Sequence, residues 1–252
     1  MAAGPHRTSH TGSTEAVEDY AKAIYSLQSR CGGEPVQSGD IAVRLGVTPA
    51  SASGMVKRLT ELGLVDHLPY KGVALTQSGE RLALEVLRHH RLLELFLADE
   101  LGMAWDLVHD EAEALEHVIS PDLERLIAEK LGDPTHDPHG DPIPSAALEI
   151  DAVSTQSLDA LSAGDRGRFV RVSDSDREML RYLAEQGIAL GADVEVRGRQ
   201  PFGGPVMVSI DGEDHALGGA LAAAMRVELE VAGAARSRKA AGAQPRGSIA
   251  SA

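Results

Sequence analysis

Apolar residues recur at helical spacing through the first part of the chain. Between Glu15 and Ser29, Val17, Ala21, Ile24, Tyr25 and Leu27 fall on one side and Gly32-Gly33 closes the run, which predicts an amphipathic first helix. Ser38 to Leu45 predicts a short second helix and Gly46 a tight turn. Thr48-Pro49, a capping side chain before a residue preset for the first helical position, opens a third helix. Gly63 to His67 and Val73 to Thr76 then read as paired strands around the turn Pro69-Tyr70-Lys71-Gly72. The succession is helix-turn-helix and wing.

From Thr76 the pattern predicts a long helix, and the chain stays mostly helical to Leu131. Leu92, Leu93, Leu95, Phe96, Leu97 and Leu101 make an apolar surface larger than one short helix covers, so pairing with a second subunit is expected. Thr135 to Pro144 is Pro-rich and irregular; its His136 and His139 read as incidental to a linker, with metal ligation as the alternative. After a polar stretch to about Ala163 come short runs at Gly167–Val172, Asp193–Arg199, Val206–Ile210 and His215–Leu217. With helices at Asp176–Gln186 and Gly218–Met225 they predict a small β-barrel with a helical insertion. Both ends are rich in Gly, Ala, Ser, Pro and Arg and read as disordered tails. The second tail's Arg236, Arg238, Lys239 and Arg246 read as solvated, with DNA contact as the alternative. The expected divisions are a tail 1–13, a winged helix 14–77, a helical domain 78–145, a linker 146–163, a barrel 164–232 and a tail 233–252.

Composition narrows the classes. At 43% hydrophobic and 3% aromatic residues over 252 positions, the core must be built from Leu, Val, Ile and Ala. The single cysteine, Cys31, excludes a disulfide framework and a Cys-based zinc site. No apolar run approaches the ~20 residues of a membrane span, and Met1 to Ser13 is polar, so a cytoplasmic protein is expected. A formal charge of −14 argues against indiscriminate nucleic-acid binding and suits a chain that takes up divalent cations.

The candidate chemistry centres on His109-Asp-Glu-Ala-Glu113-Ala-Leu-Glu116-His117. On a helix, His109, Glu113, Glu116 and His117 span an arc of roughly 100°, a row of nitrogen and oxygen donors suited to a first-row dication. A solvated acidic face is the alternative, and His90 and Glu94, an i, i+4 pair on the preceding helix, weigh against it. Asp174, Asp176 and Glu178 read either as a helix cap with its first turn or as further ligands. On the third helix, Thr48, Ala50, Ser51, Ser53 and Gly54 are small enough to enter a major groove, with Lys57, Arg58 and Lys71 placed for phosphates. A winged helix that contacts only proteins is the alternative. A metal-dependent hydrolase is the rival class, and it lacks a H-E-x-x-H pairing, a nucleophile elbow or a phosphate-cradling loop.

The order of these motifs, with Asp137-Pro-His-Gly-Asp-Pro-Ile-Pro after the His-Asp-Glu…Glu-His string, resembles the diphtheria toxin repressor family over residues 14 to 230. The resemblance implies a mainly α protein with a small β part. Its three domains are an N-terminal winged helix-turn-helix, an α-helical metal-binding and dimerisation domain, and a C-terminal SH3-like (FeoA-like) barrel. It also implies a primary metal site of Asp19, Glu113, Glu116 and His117. An ancillary site of His90, Glu94 and His109 is implied too, completed by Asp176 and Glu178, or Asp174, of the barrel. Iron-responsive members carry Cys where this chain has Glu113 and Met where it has Asp19. Carboxylates harden the site toward Mn²⁺, with Fe²⁺ as the alternative. The short manganese regulators have a ligating Glu where Lys22 stands, so separate primary and ancillary ions are expected rather than an adjacent pair. The implied function is a non-enzymatic, metal-dependent repressor that binds a palindromic double-stranded DNA operator as a homodimer and controls manganese-uptake genes.

Overall fold

The structure, a computed structural model, describes residues 15–68, 70–151, 153–174 and 176–230. The expected tails, the four basic residues of the second one and Pro69 of the wing turn lie outside the described residues. The chain divides into two compact units, the first Met1–Pro138 with Pro142–Asp151, the second His139–Asp141 with Ala152–Ala252.

In the first unit, α1 (Glu15–Arg30) buries Val17, Tyr20, Ala21, Ala23 and Ile24. Next come α2 (Ser38–Arg44) and α3 (Pro49–Glu61), the latter capped by Thr48, whose Oγ1 accepts the Ser51 N–H at 3.1 Å. Strands β1 (Val65–Leu68) and β2 (Gly72–Leu75) pair antiparallel with Val65 opposite Leu75. Val36 adds an unforeseen third extended piece by bridging Val73. That bridge demands glycine beside it: Gly72 has φ +110°, and a Cβ there would stand 2.2 Å from the Val36 carbonyl oxygen. Ile24, Ile41, Val56, Leu59, Val65 and Val73 form the common core of these elements.

Helix α4 (Gln77–Asp99) is the spine of the unit and packs against α1, α5 (Val108–Leu115) and α6 (Pro121–Lys130). This packing corrects the expected apolar face. Leu92 and Leu93 are buried with Ala112, Ile119 and Ile127, and Leu97 is buried too, because α5 and α6 fold back over α4. Among the exposed apolar residues of this helical region are Val118, 70% exposed, Leu101, 63%, Leu107 and Leu115, and Leu123 and Leu126 on α6. Pro121 opens α6 at its first turn behind the Ser120 cap.

The Pro-rich segment is less of a linker than its composition suggests. The N–H of buried Ile143 donates to the Thr135 carbonyl at 2.8 Å, and Arg88 Nη1 donates to the Pro144 carbonyl at 2.6 Å. His136 is exposed, whereas His139 is wholly buried, so the incidental reading fails for His139.

The second unit contains β3 (Gln156–Ser157), a 3₁₀ turn (Leu158–Ala160), β4 (Arg166–Val172), α7 (Arg177–Glu185) and β5 (Asp193–Arg199). It continues with β6 (Val206–Ile210), β7 (Glu213–Leu217), α8 (Gly219–Ala224) and β8 (Met225–Leu229). They build one antiparallel sheet in the order β3-β8-β4-β5-β6-β7 around Phe169, Leu183, Val196, Val208, Leu217 and Val227. Strand β8 has no turn signal before it, since Met225 both ends α8 and begins the strand. Its insertion beside β4 also draws β3 and the fully buried Leu158, residues expected in a linker, onto the sheet. No helix among the described residues is long and apolar enough to cross a membrane.

Candidate metal centre

Three elements of the first unit supply the polar groups of the site. On α1, Lys22 lies four residues after Glu18 and three after Asp19, beside the buried stripe. On α4, His90 and Glu94 are one turn apart and both buried. Helix α5 ends earlier than expected, at Leu115, with Glu116 as its C-cap and His117 in the turn beyond. His117 therefore owes its position to a turn rather than to the helical arc.

The structure brings one donor each of Asp19, Glu116 and His117 within 4.8 Å of one another. His117 Nε2 lies 3.0 Å from Asp19 Oδ1 and 3.5 Å from Glu116 Oε1. Glu113 joins instead a group with His90 and Glu116. His90, Glu94 and His109 also converge: His90 Nε2 is 3.0 Å from Glu94 Oε1 and 3.2 Å from His109 Nδ1. His90 Nδ1 meets Glu116 Oε2 at 2.5 Å, so the two expected ligand sets form one continuous string. In the second unit, the Asp176 carboxylate accepts the N–H groups of Glu178 at 2.9 Å and Met179 at 3.3 Å, which is the capping alternative. Glu178 is exposed in the first turn of α7, and Asp174 is half-buried.

Two residues had escaped the sequence reading. Glu18 Oε2 lies 2.5 Å from His117 Nδ1; its place one residue before Asp19 and one turn before Lys22 was the available signal. Glu124 holds the turn from behind, with Arg88 Nε at 2.5 Å and His89 Nε2 at 3.4 Å, while His89 Nδ1 lies 3.2 Å from the Glu116 carbonyl.

The charges respond to this crowding. Burial disfavours the His90 cation, but hydrogen bonds to Glu116 and Glu94 outweigh it and push its pKa up to about 9. His117 is raised likewise, against burial, by Glu18, Glu116 and Asp19. Burial raises Asp19. Glu113 is lowered because Lys22 overcomes the burial penalty. Every donor is nitrogen or oxygen, and Cys31, exposed beyond the end of α1, is remote in kind. Imidazoles and carboxylates at mutual distances below 4.8 Å fit a hard or borderline dication.

The α3 face is open. Thr48, Ala50, Ser51, Ser53, Gly54, Lys57 and Arg58 are all exposed, as is Lys71 at the wing turn. The small hydroxyls are tied locally, Ser51 Oγ 2.9 Å from Thr48 Oγ1 and Ser53 Oγ donating to the Pro49 carbonyl at 2.9 Å.

Comparison with known proteins matches three successive regions of the chain. Residues 13–73 match the N-terminal DNA-binding domain of iron-dependent repressors, 76–145 their metal-binding and dimerisation domain, and 156–229 the FeoA domain. The diphtheria toxin repressor of Corynebacterium efficiens is 34% identical over 224 residues, 85% of this chain and 95% of that protein. The iron-dependent repressor IdeR of Mycobacterium tuberculosis is 32% identical over 227 residues, 85% and 97% of the two chains. A solved manganese-dependent transcriptional repressor in complex with manganese is 43% identical, with a TM-score of 0.78 over 85% of this chain and 100% of that one. With its winged helix, its metal-binding and dimerisation helices and its FeoA domain in that order, the chain belongs to the diphtheria toxin repressor family of metal-dependent transcriptional repressors.

Proposed function

We propose that this repressor answers to manganese: loaded with Mn²⁺, a homodimer binds an inverted-repeat operator and represses genes of manganese uptake. One observation carries the reading. Asp19 on the first helix of the DNA-binding domain and Glu116 and His117 beyond α5 converge with nitrogen and oxygen donors alone. Iron is the second reading, favoured by the names of the iron-dependent relatives. The donor set leans the other way, because a site of carboxylates and imidazoles without thiolate or thioether suits the harder ion.

In this reading Asp19, Glu116 and His117, with Glu18 and Glu113 beside them, hold the primary ion, and His90, Glu94 and His109 hold the ancillary one. A dication bound there supplies positive charge that α1 and the turn after α5 can share. Without it, Glu18, Asp19, Glu113 and Glu116 set like charges across the boundary between α1 and α5. Shared ligation fixes the angle between the reading head and the dimerisation helices. In a two-fold dimer it thereby fixes the separation of the two α3 helices. Thr48, Ala50, Ser51, Ser53 and Gly54 then face base edges, while Lys57, Arg58 and Lys71 neutralise phosphates. The coupling between metal and DNA is reciprocal, commonly about 1–3 kcal/mol, or roughly 5–150-fold in affinity.

The test is operator affinity measured by anisotropy in chelated buffer and then at matched free Mn²⁺ and Fe²⁺. Tightening by Mn²⁺ at concentrations where Fe²⁺ acts weakly is expected. Equal affinity with and without metal removes the corepressor role, and a response to Fe²⁺ alone moves the chain to the iron reading.

A further inference from the structure

Among the described residues of the first unit, the most exposed large apolar side chain is Tyr70, at the tip of the hairpin between β1 and β2. Its ring is fully exposed, and its φ of +65° lies in the left-handed region, where an aromatic residue is rare. The tip is nevertheless fixed. Lys71 N–H donates to the Leu68 carbonyl at 3.0 Å, Gln37 Nε2 donates to the Lys71 carbonyl at 2.8 Å, and Val36 and Val73 exchange N–H···O bonds of 2.9 Å beyond Gly72. Because Gln37 is the N-cap of α2, and α2 packs on α3, these bonds hold the tip relative to the open α3 face.

We propose that Tyr70 reads bases: its ring enters the minor groove of double-stranded DNA beside the half-site that α3 occupies, and it favours A·T pairs there. The proposal rests on the reading that α3 lies in the major groove, and it asks nothing of the identity of the metal.

Helix α3 leaves base reading incomplete. Before Lys57 its exposed positions are Pro49, Ala50, Ser51, Ser53 and Gly54, none long enough for the paired hydrogen bonds by which Arg, Asn or Gln distinguish a purine. The hydroxyls of Ser51 and Ser53 are also engaged locally, with Thr48 Oγ1 and the Pro49 carbonyl. What remains to α3 is contact with thymine methyls and phosphates, so a reading side chain elsewhere in the domain adds information that α3 does not supply.

The hairpin suits the other groove. The minor groove is about 6 Å wide, little more than the roughly 4.8 Å between paired strands before side chains are counted. The ribbon therefore stays outside and only a tip side chain enters. A planar ring passes between the sugar walls, its phenol O–H meets N3 of adenine or O2 of thymine, and the amino group of guanine obstructs it. Lys71, exposed beside Tyr70, then meets the phosphates that line the same groove. A tip already held by Gln37 and Val36 loses little freedom on binding. DNA rather than a protein is the occupant, because the hairpin tip belongs to the DNA-binding domain and the ring is flanked by an exposed ammonium.

The test begins with selection from random double-stranded DNA by the full chain, run with Mn²⁺ and again with Fe²⁺. The unaltered protein should enrich a half-site and, outside it, A·T pairs; Tyr70→Ala should enrich the same half-site without the flanking preference. On the selected duplex, replacing the flanking A·T pairs by G·C should weaken the unaltered protein about 10-fold in anisotropy and leave Tyr70→Ala within about 2-fold. Tyr70→Ala should leave the salt dependence of affinity unchanged, whereas Lys71→Ala should lower the slope of log affinity against log salt by about one. Equal discrimination between the flanks by both proteins overturns the proposal and returns Tyr70 to protein docking, and so does a loss in Tyr70→Ala that is the same on both flanks. Enrichment with Fe²⁺ alone removes the manganese reading and leaves the Tyr70 comparison standing. No enriched half-site with either metal overturns the major-groove reading of α3, and the role of Tyr70 with it.

Discussion

Glu124 illustrates how much of this molecule is settled one side chain at a time. It touches none of the candidate ligands, yet it clamps Arg88 and His89, and His89 in turn abuts the Glu116 carbonyl. The hydrogen bond from His89, ahead of those from Arg88 and against the burial penalty, holds its pKa below the usual glutamate value. A carboxylate depressed in the folded state contributes stability above its unfolded pKa, and that contribution is lost as pH falls through the folded value. Glu124→Gln should therefore cost about 2 kcal/mol at neutral pH. The gap to the unaltered protein should narrow as pH falls below the ordinary glutamate pKa of about 4.3. Chemical denaturation at pH 7 and pH 3.5 checks this, and a gap independent of pH would mean that Glu124 acts by packing rather than by charge.

At the scale of elements, the hinge between wing and spine depends on a residue with no side chain. Gly79 is buried in the first turn of α4, where its N–H meets the Thr76 cap at 3.2 Å; a Cβ on it would lie 1.9 Å from the Leu64 carbonyl oxygen. Helix propensity alone would favour alanine at such a place by roughly 1 kcal/mol. The contact with Leu64 reverses the sign. Gly79→Ala is expected to destabilise by about 2 kcal/mol or more, since backbone must move, and a rise in melting temperature would contradict the close approach. The same scale explains which elements the pattern of residues made legible. Helices with caps, such as α3 behind Thr48-Pro49 and α7 behind Asp176, stand within a residue or two of expectation, because capping is a local interaction. Strand β8 was invisible because nothing local separates it from α8; only its pairing with β4 and β3 makes it a strand.

For the whole molecule, the proposed switch requires that metal be read out through Asp19 rather than merely bound. Asp19 meets His117 from α1, whereas His90, Glu94 and His109 lie wholly within α4 and α5. Asp19→Ala should keep Mn²⁺ binding at the second group while lowering Mn²⁺-stimulated operator affinity about 10-fold or more. Calorimetry and anisotropy on the same preparation separate the two quantities. Full stimulation in Asp19→Ala would show that α1 is not the element the metal acts upon.

The residues by themselves determined the helix-turn-helix and wing, the i, i+4 pair on α4, the Glu-x-x-Glu-His run and the absence of thiols near it. Each of these is written in spacing or in residue type. Only the tertiary structure decided that Glu113 stands with His90 rather than with Asp19, that Glu18 joins His117, and that Lys22 lies between two glutamates 91 and 94 positions away. It likewise decided that most of the leucine face of α4 is covered by its own chain. The reason is common to all four: spacing fixes which side chains share a face of one helix, but which faces meet depends on how α1, α4 and the turn after α5 pack together.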